Sequence, residues 1–311
     1  MSCSRHRVAP RVTSLLAATA LAVPGAVSAQ AAKFDAPIVS TQWLSEHLAD
    51  PSVVVLHLAN ARRDYAAGHV PGARFLWVND IAPSTPDLNT ELPPVAKLDS
   101  LLESLGVSDN SRVVVYAPTV STMAARVYMT LDYLGLGDRA AVLDGGLNAW
   151  KAEGRQVSTE VPVVKRGKFT PHVQRDAVVD ADFVKASIDK PGIRILDARD
   201  PGFYAATNTG PMSGGYARPG HIQSALNIPF TTLTDSTGHL KDKATIAGLF
   251  TSAGVQPADR VVTYCHVGQQ GSLLFLAARY AGYKSSLYDG SYEDWSPRGA
   301  DYPVVGPTAK K

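Results

Sequence analysis

The run Val261-Val262-Thr263-Tyr264-Cys265-His266-Val267-Gly268-Gln269-Gln270-Gly271-Ser272, continuing into Leu273-Leu274-Phe275-Leu276-Ala277-Ala278, carries the architecture of the chain. An apolar, β-branched stretch stops at a thiol and a glycine-containing loop, and an apolar run follows. The pattern reads as buried strand, tight loop and helix. A cysteine at that strand end faces backbone amides and the positive pole of the next helix, which together stabilise a thiolate. Cys265 is therefore a candidate nucleophile. The plainer alternative is a small buried residue with an inert sulfur.

The chain has 311 residues and two cysteines, and the other one, Cys3, lies in a segment with the features of an export leader. Residues 1–29 carry Arg5, Arg7 and Arg11, an apolar stretch from Leu15 to Val23, and Ala26-Val27-Ser28-Ala29 as a small-residue cleavage site. The apolar stretch is short for a membrane span, no Arg-Arg pair marks the twin-arginine route, and no cysteine at the cut marks a lipoprotein. The expectation is secretion across the inner membrane to the periplasm, with Cys265 as the one thiol left in an oxidising compartment. Loss of the leader takes three arginines, leaving 27 basic against 28 acidic residues. A chain so close to neutral offers no argument for nucleic acid or an anionic membrane surface as partner.

The remainder repeats itself. Val53-Val54-Val55-Leu56, Gly68-His69-Val70-Pro71-Gly72-Ala73, Val113-Val114-Val115-Tyr116 and Asp144-Gly145-Gly146-Leu147-Asn148-Ala149-Trp150 recur in the same order in the second half. Their counterparts are Ile193-Arg194-Ile195-Leu196-Asp197, Gly220-His221-Ile222-Gln223-Ser224-Ala225, Val261-Val262-Thr263-Tyr264 and Asp289-Gly290-Ser291-Tyr292-Glu293-Asp294-Trp295. Gly68 and Gly220 lie 152 positions apart, Tyr116 and Tyr264 148, Asp144 and Asp289 145. A nearly constant offset indicates duplication. Each half alternates β-branched runs with amphipathic stretches such as 123–131, the pattern of an α/β domain whose parallel sheet carries helices on both faces. The expected boundaries are 36–155 for the first domain, 156–175 for a linker and 176–305 for the second. Residues 210–220 form a glycine-rich loop without the strand-then-helix setting of a phosphate-binding loop.

Together, the duplicated strands, the two Gly-His motifs, Cys-x-x-Gly and the two Asp-Gly-[Gly/Ser]-x-x-x-Trp motifs resemble the rhodanese family of sulfurtransferases in its tandem-domain form. The resemblance spans about residues 36 to 305. It implies an inactive N-terminal domain and a C-terminal domain whose cysteine accepts a sulfane sulfur as a persulfide. The sequence agrees on the asymmetry, because Ala117 stands where the repeat would place a cysteine. Pro118 also removes an amide from that loop. Residues 30 to 155 are accordingly expected to complete the interdomain cleft.

Sulfur transfer can also be argued from chemistry. A thiolate attacks the outer sulfur of a donor such as thiosulfate and displaces sulfite, and a thiophile such as cyanide or a thiol, a protein thiol included, then takes the sulfur. Negative charge passes around one sulfur, so the site needs fixed donors more than a strong base. The amides of His266, Val267, Gly268, Gln269 and Gln270 are expected to form that anion-binding nest, with Gly268 at a position needing positive φ or a close approach. Relatives that prefer thiosulfate resemble Cys-Arg-Lys-Gly-Val-Thr, and those that prefer mercaptopyruvate resemble Cys-Gly-[Ser/Thr]-Gly-Val-[Thr/Ser]; this loop matches neither. His266 is expected either to become protonated beside an anion, favouring thiosulfate at mildly acid pH, or to face solvent.

In Asp197-Ala198-Arg199-Asp200-Pro201-Gly202-Phe203-Tyr204, Phe203 stands where the tandem family usually has an arginine. Arg199 is the first choice to replace that substrate cation and Arg218 the second. Either alternatively serves an ion pair. His69 and His221 are equivalent, which favours a shared structural job. The resemblance keeps a proton-transfer role open for His69. Asp144, Asp289, Trp150 and Trp295 read as turn and core residues.

A cysteine phosphatase needs Cys-x5-Arg, and Gly271 occupies that place. Neither a metal site nor a dinucleotide fingerprint is readable, and no cofactor is expected. Three readings remain open: a sulfurtransferase, a noncatalytic persulfide carrier or redox sensor, and a structural duplicate with an inert thiol.

Overall fold

In the computed structural model, residues 1–3, 32–208 and 217–306 are described. Apart from its first three residues the leader read over 1–29 lies outside them, as do residues 210–216 of the glycine-rich loop.

The first half contributes β1 (Ile38–Val39), β2 (Val53–Ala59), β3 (Arg74–Trp77), β4 (Arg112–Tyr116) and β5 (Ala140–Leu143), in the sheet order β1-β5-β4-β2-β3. The second contributes β6 (Val178–Val179), β7 (Ile193–Asp197), β8 (His221–Ile222), β9 (Leu226–Asn227), β10 (Arg260–Tyr264), β11 (Lys284–Tyr288) and β12 (Val304–Val305). Its main sheet has the order β6-β11-β10-β7-β9, while β8 and β12 form a small antiparallel pair. Every neighbour pair in the two five-stranded sheets is parallel. The duplication is thus a duplication of topology.

Among the described residues, the α-helices of the first half are α1 (Thr41–His47), α2 (Arg62–Ala66), α3 (Val78–Ile81), α4 (Val95–Ser104), α5 (Thr122–Leu131) and α6 (Gly146–Ala152). The second half has α7 (Ala181–Ser187), α8 (Pro201–Tyr204), α9 (Lys243–Ser252), α10 (Gln269–Ala281) and α11 (Ser291–Trp295). Period-two alternation explains why helices cover both faces of each sheet. In β4, Val114 and Tyr116 pack with Leu44, Leu147 and Trp150, while Val113 and Val115 turn toward α4 and α5. Likewise Val262 and Tyr264 of β10 join Trp295, and Val261 turns toward α10.

The faces toward α5 and α10 merge, because those helices pack against each other and one apolar cluster runs from Val113 and Met129 to Phe275 and Leu276. Burial on two sides leaves no exposed residue in α5 from Ala124 to Leu131. Ser121 caps it, accepting from Ala124 N. At the start of α10, a Cβ on Gly271 would lie 3.1 Å from the Tyr264 carbonyl carbon, so glycine lets the helix approach its strand.

Candidate active site

Cys265 follows the last residue of β10 and is fully buried. The amides of Gly271, Val267 and Gln270 donate to its sulfur and favour the thiolate. Burial outweighs them and pushes the thiol above its ordinary value, so in this closed site the proton is held more tightly than the sequence suggests. Gly268 has φ +83° and immediately precedes α10. The turn it makes brings the Gln270 and Gly271 amides round to the sulfur.

The far side of the loop is clamped by the Asp-Gly-Ser turn. Cys265 N donates to Ser291 Oγ at 3.2 Å, and Tyr292 N and Glu293 N donate to the carbonyls of Cys265 and His266, each at 3.0 Å. The same clamp recurs in the first domain, where Leu147 N and Asn148 N donate to the Ala117 and Pro118 carbonyls at 2.9 Å. There, however, Ala117 has no sulfur to present.

The residues read from sequence as cations are placed differently. His266 is buried rather than solvent-facing, with Phe203 of α8 edge-on at 4.6 Å between ring centroids. Burial, and then the charge of Arg199, lower its pKa to about 4, so it is a neutral ring at mildly acid pH and not the expected cation. Arg199 is itself fully buried and its charge is balanced inside the protein. Nη2 lies 2.5 Å from Asp197 Oδ2 and 2.7 Å from the Gly220 carbonyl, and the guanidinium sits 4.0 Å from the Tyr292 ring centroid. Burial opposes that charge, but Asp197 more than restores it and holds the guanidinium above its ordinary value.

Arg218 is a clamp on the end of α11, donating to the carbonyls of Ser296, Tyr302 and Trp295 at 2.9, 2.9 and 3.1 Å. His69 packs in its own domain, stacked on Tyr65 at 3.8 Å, with its ring nitrogens 2.9 Å from the Tyr65 carbonyl and 3.0 Å from the Glu160 carbonyl. His221 repeats the arrangement on Tyr204 at 3.7 Å, with Nδ1 2.8 Å from the Tyr204 carbonyl. Two equivalent histidines thus do the same packing job. Gln269 is partly exposed at the first position of α10, and Gln270 has a buried Oε1 with no hydrogen-bond partner.

Several residues of the site escape a reading by motif. Gly271 supplies an amide one position beyond the expected nest. Asp197, fully buried, accepts from Tyr264 Oη at 2.7 Å and from Arg199, and its signal in sequence is a carboxylate closing an apolar strand. Asp289 is more than a turn residue, because it accepts Leu92 N at 2.9 Å and pairs with Arg126 from the first domain.

The rhodanese-like domain model matches twice, over residues 40–153 and 180–298. A thiosulfate sulfurtransferase of Azotobacter vinelandii is 31% identical over 259 residues, covering 83% of this chain and 93% of its own. The sulfur carrier protein TtuD of Thermus thermophilus is 31% identical over 273 residues, with the same two coverages, 83% and 93%. Among solved structures, the 3-mercaptopyruvate sulfotransferase SseA of Escherichia coli superposes with a TM-score of 0.72 at 25% identity, covering 83% of this chain and 99% of that one. Two matched domains, a shared parallel topology and relatives aligned across most of its length make this chain a tandem-domain member of the rhodanese family of sulfurtransferases.

Proposed function

We propose that the protein moves a sulfane sulfur from a donor such as thiosulfate to a thiophilic acceptor through a Cys265 persulfide, in the periplasm. The observation that carries this reading is the convergence of three backbone amides on the one cysteine sulfur of the second domain. Such donors stabilise negative charge wherever it sits on the sulfur chain and need no general base. In the first step the Cys265 thiolate bonds to the outer sulfur of thiosulfate, the bond to the sulfonate sulfur breaks, and sulfite leaves with the electron pair. In the second, cyanide or a thiolate bonds to that outer sulfur and Cys265 leaves as thiolate. Because His266 is neutral and Arg199 is balanced by Asp197, amides rather than side-chain cations supply the anion contacts.

The relative named as a sulfur carrier favours a second reading, in which the acceptor is a protein thiol and small acceptors turn over slowly. Steady-state turnover with thiosulfate and cyanide, paired with mass spectrometry of the Cys265 peptide, tests both readings. Sulfur transfer requires a gain of about 32 Da on that peptide after donor treatment and loss of turnover in Cys265→Ala. A stable gain with no cyanide turnover favours the carrier. No mass gain with any donor overturns both.

A further inference from the structure

The repeat makes the contact between the domains nearly two-fold. Leu92 N donates to Asp289 Oδ2 at 2.9 Å, and Leu240 N donates to Asp144 Oδ1 at 3.0 Å. These two bonds are equivalent under the sequence repeat. Next to them, Thr90 Oγ1 donates to the Val267 carbonyl, and on the other side Val120 N donates to the Gly238 carbonyl at 3.0 Å. Each domain therefore lends a segment to the loop of the other, whether that loop holds a thiol or not.

Arg126 breaks this symmetry. Its counterpart 148 positions on is Leu274, a buried apolar residue. Arg126 is fully buried within the apolar α5. Its Nη1 donates to Asp289 Oδ1 across the interface and its Nη2 to the Thr90 carbonyl at 2.7 Å. A Cβ on Gly268 would lie 2.9 Å from Nη1, so the guanidinium lies against the turn that opens α10. Burying an arginine is costly unless it is paired, and here the pair belongs to the other domain. The one first-domain acceptor, the Thr90 carbonyl, belongs to the residue whose hydroxyl holds Val267. Both partners thus lead to the loop around Cys265.

We propose that Arg126 is a positioning residue through which the thiol-free domain holds the Cys265 loop in its anion-binding form. Through Asp289 it fixes the turn that clamps the Cys265 and His266 carbonyls, and through Thr90 it fixes Val267. The Val267, Gln270 and Gly271 amides then stay converged on the sulfur. This rests on the sulfur-transfer reading, and its effect is one of geometry, because a displacement near 1 Å in a reacting site costs about 10²-fold in rate.

The test uses the full chain with Arg126→Met, Arg126→Lys and, as control on the thiol-free side, Asp144→Asn. Two readouts are taken: thiosulfate:cyanide kinetics, and the pH dependence of Cys265 alkylation by iodoacetamide. Arg126→Met is expected to lower kcat by about 10²-fold while KM stays within about 3-fold. Its alkylation midpoint moves up by about one pH unit as the amides lose their aim. Arg126→Lys recovers part of both, and Asp144→Asn leaves both native. A folded Arg126→Met with native kcat and midpoint overturns the proposal, and so does an Asp144→Asn that shifts both equally, since that marks general domain docking. If Arg126→Met does not fold, Arg126→Lys decides alone: a lower kcat with a raised midpoint supports the role, and native values overturn it. Absence of both turnover and a mass gain on the Cys265 peptide in the unaltered protein overturns the sulfur-transfer reading instead, while alkylation still reports on the loop.

Discussion

At Cys265, burial and three backbone amides act in opposite directions on one proton, and burial prevails. In the proposed sulfur transfer the thiolate is the reacting form, so the raised pKa has a direct kinetic consequence. Persulfide formation is expected to rise with pH from 7 to beyond 9, which single-turnover sulfite release checks. The neutral ring of His266, at about 4, adds no acid-side gain in thiosulfate affinity between pH 8 and 5. A fall in thiosulfate KM toward pH 5 would refute that assignment. The sequence places the thiol and the histidine side by side; it cannot show the solvent exclusion that sets both protons, because Phe203 and Arg199 reach His266 only through the fold.

At the scale of elements, the loop between β10 and α10 depends on two glycines for different reasons. Gly271 permits the helix to press on β10, and Gly268 supplies positive φ beside Arg126 and Asp289. Gly268→Ala meets both left-handed backbone strain of about 1–2 kcal/mol and a Cβ only 2.9 Å from the Asp289 carbonyl oxygen. The expected result is a loss of turnover of about 10²-fold with the far-UV circular dichroism unchanged. Native turnover in Gly268→Ala would mean that the loop tolerates another path. Strand, loop and helix were legible here because apolar periodicity and glycine placement are local properties. The Asp-Gly-Ser turn read as a turn, and its second task, clamping the Cys265 loop, was hidden because its acceptors lie in the loop after a different strand, β10.

Across the whole molecule, the two sheets share one apolar cluster through α5 and α10, and charged groups collect where the first domain meets the Cys265 loop. Glu91 lies there beside Asp289 and Arg126; burial first, and then Asp289, push its pKa up to about 7 despite Arg126. Folded Glu91 binds its proton more tightly than the unfolded chain does, so its contribution to stability is present below the ordinary carboxylate range and is lost as pH rises through about 7. Glu91→Gln should therefore raise Tm at pH 8 by about 2 °C and leave it nearly unchanged at pH 5, as read by thermal scans. An equal shift at both pH values would refute the titration. The repeat, the parallel order of the strands, the thiol at one strand end and the alanine at its twin all follow from local pattern and spacing, which a chain carries before it folds. The state of the charges does not. Arg199 finds Asp197 two residues away and Arg126 finds Asp289 163 residues away, and only burial decides that each charge is spent on an internal partner rather than on a substrate.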